Sequence, residues 1–244
     1  MTDVRVSVCM ATYNGEAYVR EQLDSILAEL EPQDEVIVVD DASSDGTVAQ
    51  LSAVDDPRVH VFPRENNLGY VRTFEESLQR ATGDVLMLAD QDDVWIPGRR
   101  ALFLTALEND AVAASNLVLL GSDAPLTPPI PGISWRLNAA QSSHALRNEL
   151  RILAGIVPYF GCAMAIRRDA VDRILPFPEF LTESHDLWIA TFANAHRTMR
   201  HIDEPTLRRR LHEENTSTAR PRGIGQVLGA RWMLLRAWFA ARRR

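Results

Sequence analysis

Apolar and polar positions along the first half of the chain switch repeatedly between two periods. Val4 to Val8 alternates in a β-branched stretch, the period-two signature of a strand. From Ala17 to Leu30 the apolar side chains Val19, Leu23, Ile26, Leu27 and Leu30 recur at helical spacing. Glu35 to Val39 is a short continuous apolar run, as in a strand covered on both faces. Thr47 to Ala53 reads as a short helix, with Ser44 or Asp45 placed to cap it. Arg58 to Phe62 reads as a strand, Tyr70 to Ala81 as a helix stopped at Gly83, and Val85 to Ala89 as a further strand. Strands alternating with helices at this spacing predict βαβ units, an α/β fold and a largely parallel sheet. The second half is less regular. The proline-rich stretch from Gly121 to Gly132 reads as a loop and Ala145 to Leu153 as a helix. Gly161 to Ile166 reads as a strand, Arg167 to Leu175 as a helix, and Asp186 to Ala195 as a helix around Trp188.

In parallel sheets ligands gather outside the carboxyl ends of the strands, so the residues just after each strand are where chemistry is to be sought. After the first comes Ala11-Thr12-Tyr13-Asn14-Gly15-Glu16, after the second Asp40-Asp41, and after Val85–Ala89 the run Asp90-Gln91-Asp92-Asp93. Carboxylates this close together repel one another unless a cation or hydrogen bonds compensate them. Their hard oxygens suit Mg²⁺ or Mn²⁺, which keep coordination positions open for phosphates. The plain alternative is a solvated acidic turn ahead of a helix beginning near Pro97. Convergence with Asp40 and Asp41 favours the metal–phosphate reading.

Composition narrows the field without choosing a reaction. The chain has 244 residues, 46% hydrophobic and 24% charged, which is ordinary for a globular protein and unlike disorder, collagen or a coiled coil. Its 26 basic and 33 acidic residues leave a net charge of −7, so no general attraction to nucleic acid is expected. Cys9 and Cys162 are too few for a disulfide framework and read as small buried side chains. The chain holds no lysine; its cations are arginines. That excludes a Walker-type phosphate loop, Schiff-base chemistry and a kinase β3 lysine. The start, MTDVRVSVCMATYN, has no signal-peptide pattern, and no run approaches the ~18 apolar residues of a membrane span. A cytoplasmic location is the expectation.

The stretches VSVCMATYNGE, VIVVDDASSDGT, NNLGYVRTFE, ATGDVLMLADQDDVW and ESHDLWIA resemble inverting glycosyltransferases of family 2. The resemblance covers roughly residues 4 to 217. The DQDDVW, GCAMAIRR and IDEPTLRRRLHEENTS segments are similar to a bacterial rhamnosyltransferase-like subgroup. It implies the GT-A fold, a Rossmann-like mixed, mostly parallel sheet flanked by helices. It implies one domain over 1–217, with a nucleotide-binding half (1–95) and an acceptor-binding half (96–217). It further implies a UDP- or dTDP-sugar donor (dTDP-rhamnose among the candidates), Mn²⁺ or Mg²⁺, and a glycan or lipid-linked acceptor in cell-surface polysaccharide or O-antigen assembly.

Residue roles follow from the same resemblance. Thr12, Tyr13 and Glu16 would line the nucleotide pocket. Asp41, with Asp40 beside it, would accept the N3–H of uracil or thymine, a donor that cytosine lacks. Asp90 and Asp92 would be the D-x-D pair, Asp92 the direct metal ligand. Arg72 would reach the nucleotide or diphosphate, and Asp186 aligns with the catalytic base. Arg210 and His212 would close on the diphosphate, His212 also touching the metal, while Arg209 stands where the subgroup commonly has an aromatic residue. The implied reaction is a single inverting displacement: a carboxylate deprotonates the acceptor hydroxyl while the cation and arginines stabilise the leaving diphosphate. Two rivals stand beside it. A sugar-phosphate nucleotidyltransferase usually carries a glycine-rich basic loop, where this chain has Thr12-Tyr13-Asn14 and no lysine. A non-catalytic nucleotide-sugar binder fits poorly with Asp41, Asp92 and Asp186 all being present.

The tail from 218 to 244 differs from the rest. It is rich in arginine, has no acidic residue, and carries Leu228, Trp232, Met233, Leu234, Trp238 and Phe239. Such a basic apolar helix either rests on an anionic membrane surface or packs on the domain with its arginines solvated. His60, His144, His196 and His201 read as structural or surface residues, Trp95 and Trp188 as core, and Glu183 as either an aid to the base or a surface charge.

Overall fold

The computed structural model describes residues 4–128, 130–211 and 223–244. His212 lies outside the described residues, as do Arg220 and Arg222. The strands are β1 (Val6–Thr12), β2 (Glu35–Asp40), β3 (Val59–Pro63), β4 (Val85–Asp90), β5 (Val94–Trp95), β6 (Val112–Leu119), β7 (Met164–Arg167) and β8 (Met199–Arg209). The helices are α1 (Val19–Leu27), α2 (Thr47–Ser52), α3 (Tyr70–Arg80), α4 (Arg99–Ala106), α5 (Ala145–Ala154), α6 (Arg168–Ile174), α7 (His185–Ala195) and α8 (Ile224–Ala241).

All eight strands form one sheet in the order β3-β2-β1-β4-β7-β6-β8-β5. The pairs β1–β2, β1–β4, β2–β3 and β6–β8 are parallel, while β7 runs antiparallel to both β4 and β6, and β5 to β8. This is the mixed, mostly parallel sheet expected, and alternation along β1 explains its two covered faces. Val6, Val8 and Met10 join a core with Val19, Leu23 and Ile26 of α1 and Phe103 of α4. Cys9 points to the opposite core, where Val71, Phe74 and Leu78 of α3 meet Trp188, Ile189 and Phe192 of α7. Trp188 and Phe74 are almost fully enclosed there; burial of side chains this size contributes about 2–3 kcal/mol each.

Register places the chemistry. Thr12 lies opposite Asp40, and Ala11 opposite Asp90. The carboxyl ends of β1, β2 and β4 are thus level, and the loops leaving them meet along one edge.

Several elements depart from the sequence pattern. β6, β8 and α4 are not signalled: β6 dilutes its valines with alanine, serine and asparagine, and β8 (MRHIDEPTLRR) is mostly polar and contains a proline. Pairing along the sheet overrides these weak local preferences, with register shifts around Asn116 absorbing the mismatch. The strand expected from Gly161 begins as a 3-10 turn over Gly161–Ala163 and becomes β7 at Met164. The N-cap residue of α2 is Gly46, with the neighbouring Asp45 carboxylate accepting the Thr47 N–H at 3.0 Å. Gly83 does not stop α3, which ends at Arg80. A Cβ there would lie 2.7 Å from the Arg5 carbonyl oxygen, so close strand approach demands the glycine.

In α8, Met233, Leu234, Ala237 and Ala241 are buried in the core shared with α5 and α7, and Arg242 pairs with Glu149 at 2.6 Å. The helix packs on the domain. Its outward face exposes Leu228, Trp232 and Phe239. None of the described helices is long and apolar enough to cross a membrane.

Candidate functional site

A cavity of ≈ 990 Å³ opens at the level edge where β1, β2 and β4 end. It is large enough for a nucleotide-sized ligand. Its walls gather Thr12 and Tyr13 from the β1 loop, Asp41 from the β2 loop, and Asp90 and Asp92 from the β4 turn. Asp186 comes from the start of α7 and Arg209 from the end of β8. Residues far apart in sequence, from 12 to 209, therefore share one cleft.

Asp41 is held rigidly at one end. Its Oδ1 accepts the Leu68 N–H at 2.8 Å and an Arg64 N–H at 3.1 Å, and its Oδ2 accepts the Gly69 N–H at 2.8 Å. Gly69 has φ +83°, a conformation suited to glycine, and it turns the chain into α3. Arg64 also donates to Glu76 at 2.7 Å, to Thr73 Oγ1 at 3.1 Å and to the Arg72 carbonyl at 2.8 Å. Gln91 fixes the other side of this end. Its Oε1 accepts the Tyr13 N–H at 2.8 Å and its Nε2 donates to the Tyr13 carbonyl at 3.0 Å, leaving the Tyr13 ring half exposed at the mouth.

The acidic turn occupies the middle. Asp90 and Asp92 line the cavity, while Asp93 turns inward and is buried. Burial first, and then the neighbouring Asp93 and Asp92 charges, push the Asp90 carboxyl well above the usual carboxylate range. Burial and Asp92 do the same to Asp93. Carboxylate oxygens of Asp90 and Asp93 and the Cys162 Sγ all lie within 4.8 Å of one another. Closely placed, mutually repelling carboxylates of this kind fit a divalent cation, which would relieve the repulsion.

Asp186 lines the same cavity from the first turn of α7. The residue before that helix, Ser184, has φ +61°, and its N–H donates to the Tyr70 hydroxyl at 2.9 Å. Asp186 Oδ1 accepts the Leu187 N–H at 2.8 Å. Burial raises its carboxyl to about 6, against the pull of the Leu187 and Gly161 amides and the Arg209 charge. A carboxylate tuned to this value can take a proton near neutrality.

His185 beside it is neutral, its pKa pushed down to about 3 by burial. The ring stacks on Phe74 at 4.3 Å, and neither ring nitrogen has a hydrogen-bond partner. A Cβ on Gly161 would lie 2.7 Å from His185 Nε2 and 3.7 Å from the Asp186 Cβ. The ring cannot retreat, because Phe74 and Phe177 flank it. Gly161→Ala is therefore expected to lower stability by about 1–3 kcal/mol, read as a fall in melting temperature; an unchanged melting temperature would refute the tight fit.

The remaining expected site residues lie elsewhere. Asp40 is buried beneath the loop, accepting from Thr12 Oγ1 at 2.8 Å and the Ser43 N–H at 2.8 Å, and shapes the turn. Glu16 accepts the Gly46 N–H at 3.0 Å on the exposed side of the same loops. Arg72 does not reach the cavity: its guanidinium bonds Glu75 at 2.6 Å and the Phe177 and Pro178 carbonyls at 3.3 and 3.2 Å. Arg210 also lies outside the lining, donating to the Asp92 carbonyl at 3.1 Å and pairing with Glu21. Its neighbour Arg209 faces the cavity instead, 5.1 Å over the Phe160 ring. Arg208 pairs with the exposed Asp123 at 2.6 Å. The structure thus adds Arg64, Gln91, Tyr70, Gly161 and Arg209 to the residues that build the site.

Comparison with known proteins gives a consistent picture. A family model described as Glycosyl transferase family 2 matches residues 7–175. The putative teichuronic acid biosynthesis glycosyltransferase TuaG of Bacillus subtilis is 37% identical over 92 residues, covering 37% of this chain and 36% of that protein. The dTDP-rhamnosyl transferase RfbG of Shigella flexneri is 24% identical over 226 residues, covering 84% of this chain and 72% of its own. Among solved structures, S. aureus TarS 1-349 in complex with UDP-GlcNAc has a TM-score of 0.71 at 20% identity, covering 95% of this chain and 66% of that one. The match to TuaG thus spans well under two thirds of that relative, and the likeness to TarS is one of fold.

Proposed function

The chain belongs to glycosyltransferase family 2, and from that premise we propose that it transfers a sugar from a UDP- or dTDP-sugar, with inversion, to a glycan or lipid-linked acceptor of a cell-surface polysaccharide. The observation that carries the reading is the meeting of Asp41, the Asp90–Asp92 turn, Arg209 and Asp186 around one cavity. In this reading residues 1–95 hold the nucleotide and 96–217 bring the base and the acceptor. The likeness to RfbG supports a dTDP-rhamnose donor, and the likeness to TarS a UDP-sugar.

The chemistry follows from where the groups stand. Asp41 presents a carboxylate preset by the Leu68 and Gly69 amides, an acceptor for the imide N–H of uracil or thymine. Tyr13, pinned by Gln91, offers its ring at the mouth for the base. Asp90 and Asp92 would hold Mn²⁺ or Mg²⁺, which when bound offsets charge on the donor diphosphate. Arg209 adds a positive charge to the same wall and stabilises charge building on the leaving group. Asp186, lining the same cavity, takes the proton of the acceptor hydroxyl as that oxygen attacks the anomeric carbon from the side away from the leaving diphosphate. Backside displacement by one nucleophile inverts the configuration.

The outward face of α8 fits this setting. Leu228, Trp232 and Phe239 are exposed beside Arg236 and Arg243, a pattern that rests on anionic lipid. In this reading the helix packs on the domain by one face and touches the membrane that carries a lipid-linked acceptor by the other.

The test is a panel of nucleotide sugars offered with Mn²⁺ and followed by melting temperature, then by product. A UDP- or dTDP-sugar is expected to raise the melting temperature, and turnover with a suitable acceptor to release free UDP or dTDP. Release of pyrophosphate would show a nucleotidyltransferase, and stabilisation without release under all acceptors a binding protein.

A further inference from the structure

The acidic turn after β4 has an inner side that the transfer reaction leaves unused. Asp93 is 2% exposed; its Oδ2 meets no N–H or O–H donor, and the weakly donating Cys162 thiol is the side chain that faces this carboxyl. Cys162 is buried and free, on the 3-10 turn ahead of β7. Oxygens of Asp90 and Asp93 and the Cys162 sulfur lie within 4.8 Å of one another. A buried carboxylate oxygen met only by a thiol is poorly compensated. The nearby buried cation does not pair with it. Arg99 is fully buried, yet it donates to Thr206 Oγ1 and the Cys162 carbonyl, both at 2.6 Å, and stacks on Trp95 at 4.5 Å. Cys162 and Asp90 also line the cavity, which gives an ion a way in from solvent.

We propose that Asp90, Asp93 and Cys162 form a site for a borderline-soft divalent cation of the Zn²⁺ type, ligated by two carboxylate oxygens and one thiolate. The sulfur sets its selectivity. Mg²⁺ prefers an all-oxygen shell, whereas Zn²⁺, Co²⁺ and Cd²⁺ accept thiolate. Three protein ligands leave a coordination position open towards the cavity. On binding, the Cys162 S–H bond breaks, the sulfur's electron pair forms the metal bond, and the proton leaves to solvent. Asp92, offered above to the donor's cation, is not in this set, but Asp90 is common to both. The two cations therefore compete, and Zn²⁺ acts as an inhibitor that is set by the thiol. The ion site goes beyond the transfer reaction and stands without it; only the competition and inhibition rest on the proposed function.

The test uses the full chain freed of metal by a chelator and titrated with Cd²⁺, following the thiolate-to-cadmium charge-transfer absorption. Wild type is expected to develop the band to a stoichiometric end point. Cys9→Ser is expected to retain it and Cys162→Ser to lose it. Absence of the band in wild type, or its survival in Cys162→Ser, would overturn the proposal. Asp93→Asn, which keeps both thiols, guards against misfolding of the cysteine variant: its Cd²⁺ affinity is expected to fall at least tenfold, and an unchanged affinity would overturn the site. Mn²⁺-dependent binding of UDP and of dTDP, measured in parallel, keeps the two readings apart. The band with neither nucleotide bound leaves this site standing and removes the transferase reading, and the converse does the opposite.

Discussion

Asp186→Asn is expected to cut transfer by about 10²–10⁴-fold while making the protein slightly harder to melt. The amide keeps the shape of the carboxylate and its oxygen still accepts the Leu187 N–H, but it cannot take a proton. General-base catalysis is worth about 10²–10⁴-fold, and turnover should fall by that factor with donor binding unchanged. The stability gain comes from linkage. Burial raises this carboxyl to about 6 in the folded chain, so the folded state holds the proton more tightly than the unfolded one. Stability therefore falls as pH rises from the ordinary carboxylate range through about 6. In a sealed site the shift would be worth about 3 kcal/mol. Asp186 lines an open cavity, and screening by solvent there cuts this to about 1 kcal/mol, or about 2–4 °C in a chain of this length. The variant should melt above wild type at pH 8 and level with it near pH 4. Wild-type kcat/KM should climb with pH and level off above about 6. A variant that turns over normally, or a pH profile that is flat through this range, would remove Asp186 as the base.

The end of the site built on β1, β2 and β4 was legible because its information is local. Each strand from β1 to β4 announces itself by period and β-branching, and parallel topology then places Thr12, Asp41 and Asp90 at one edge without knowledge of side-chain contacts. Arg72 and Arg210 show where that reasoning stops. Both stand near the right loops, but direction along a helix or strand edge decides which way a guanidinium points. Glu75 and the carbonyls of 177–178 capture Arg72, and Glu21 captures Arg210. On β8, one residue of register exchanges the faces of the sheet, so Arg209 enters the cavity and Arg210 does not. Arg64 carries no motif at all. Its only sequence signal is its place just after the carboxyl end of β3, and its role in aiming Asp41 emerges from the fold of the 64–76 segment. The second half was harder to read for a different reason: β6 and β8 are held by pairing with each other, and their own residues carry little strand preference.

Asp92→Ala separates the cation from the rest of the cavity. Asp92 lines the cavity and its charge helps raise both Asp90 and Asp93. Removing that charge relieves repulsion within the turn. The test is the response to Mn²⁺ and a UDP- or dTDP-sugar, each protein being compared with its own ligand-free form. Wild type should gain melting temperature through ligand linkage, and the variant should lose most of that gain, because the diphosphate then meets the cavity with its charge uncompensated. Loss of a metal-mediated contact to a developing diphosphate should lower kcat/KM by roughly 100-fold or more, about 3 kcal/mol in barrier. Chelator should reduce wild type to the level of the variant and leave the variant unmoved. Donor affinity that is the same in wild type with and without chelator would show that the carboxylate turn serves the fold and not the donor. Asp41 would then carry recognition of the nucleotide without help from a metal, and Arg209 would be the group left to meet the diphosphate.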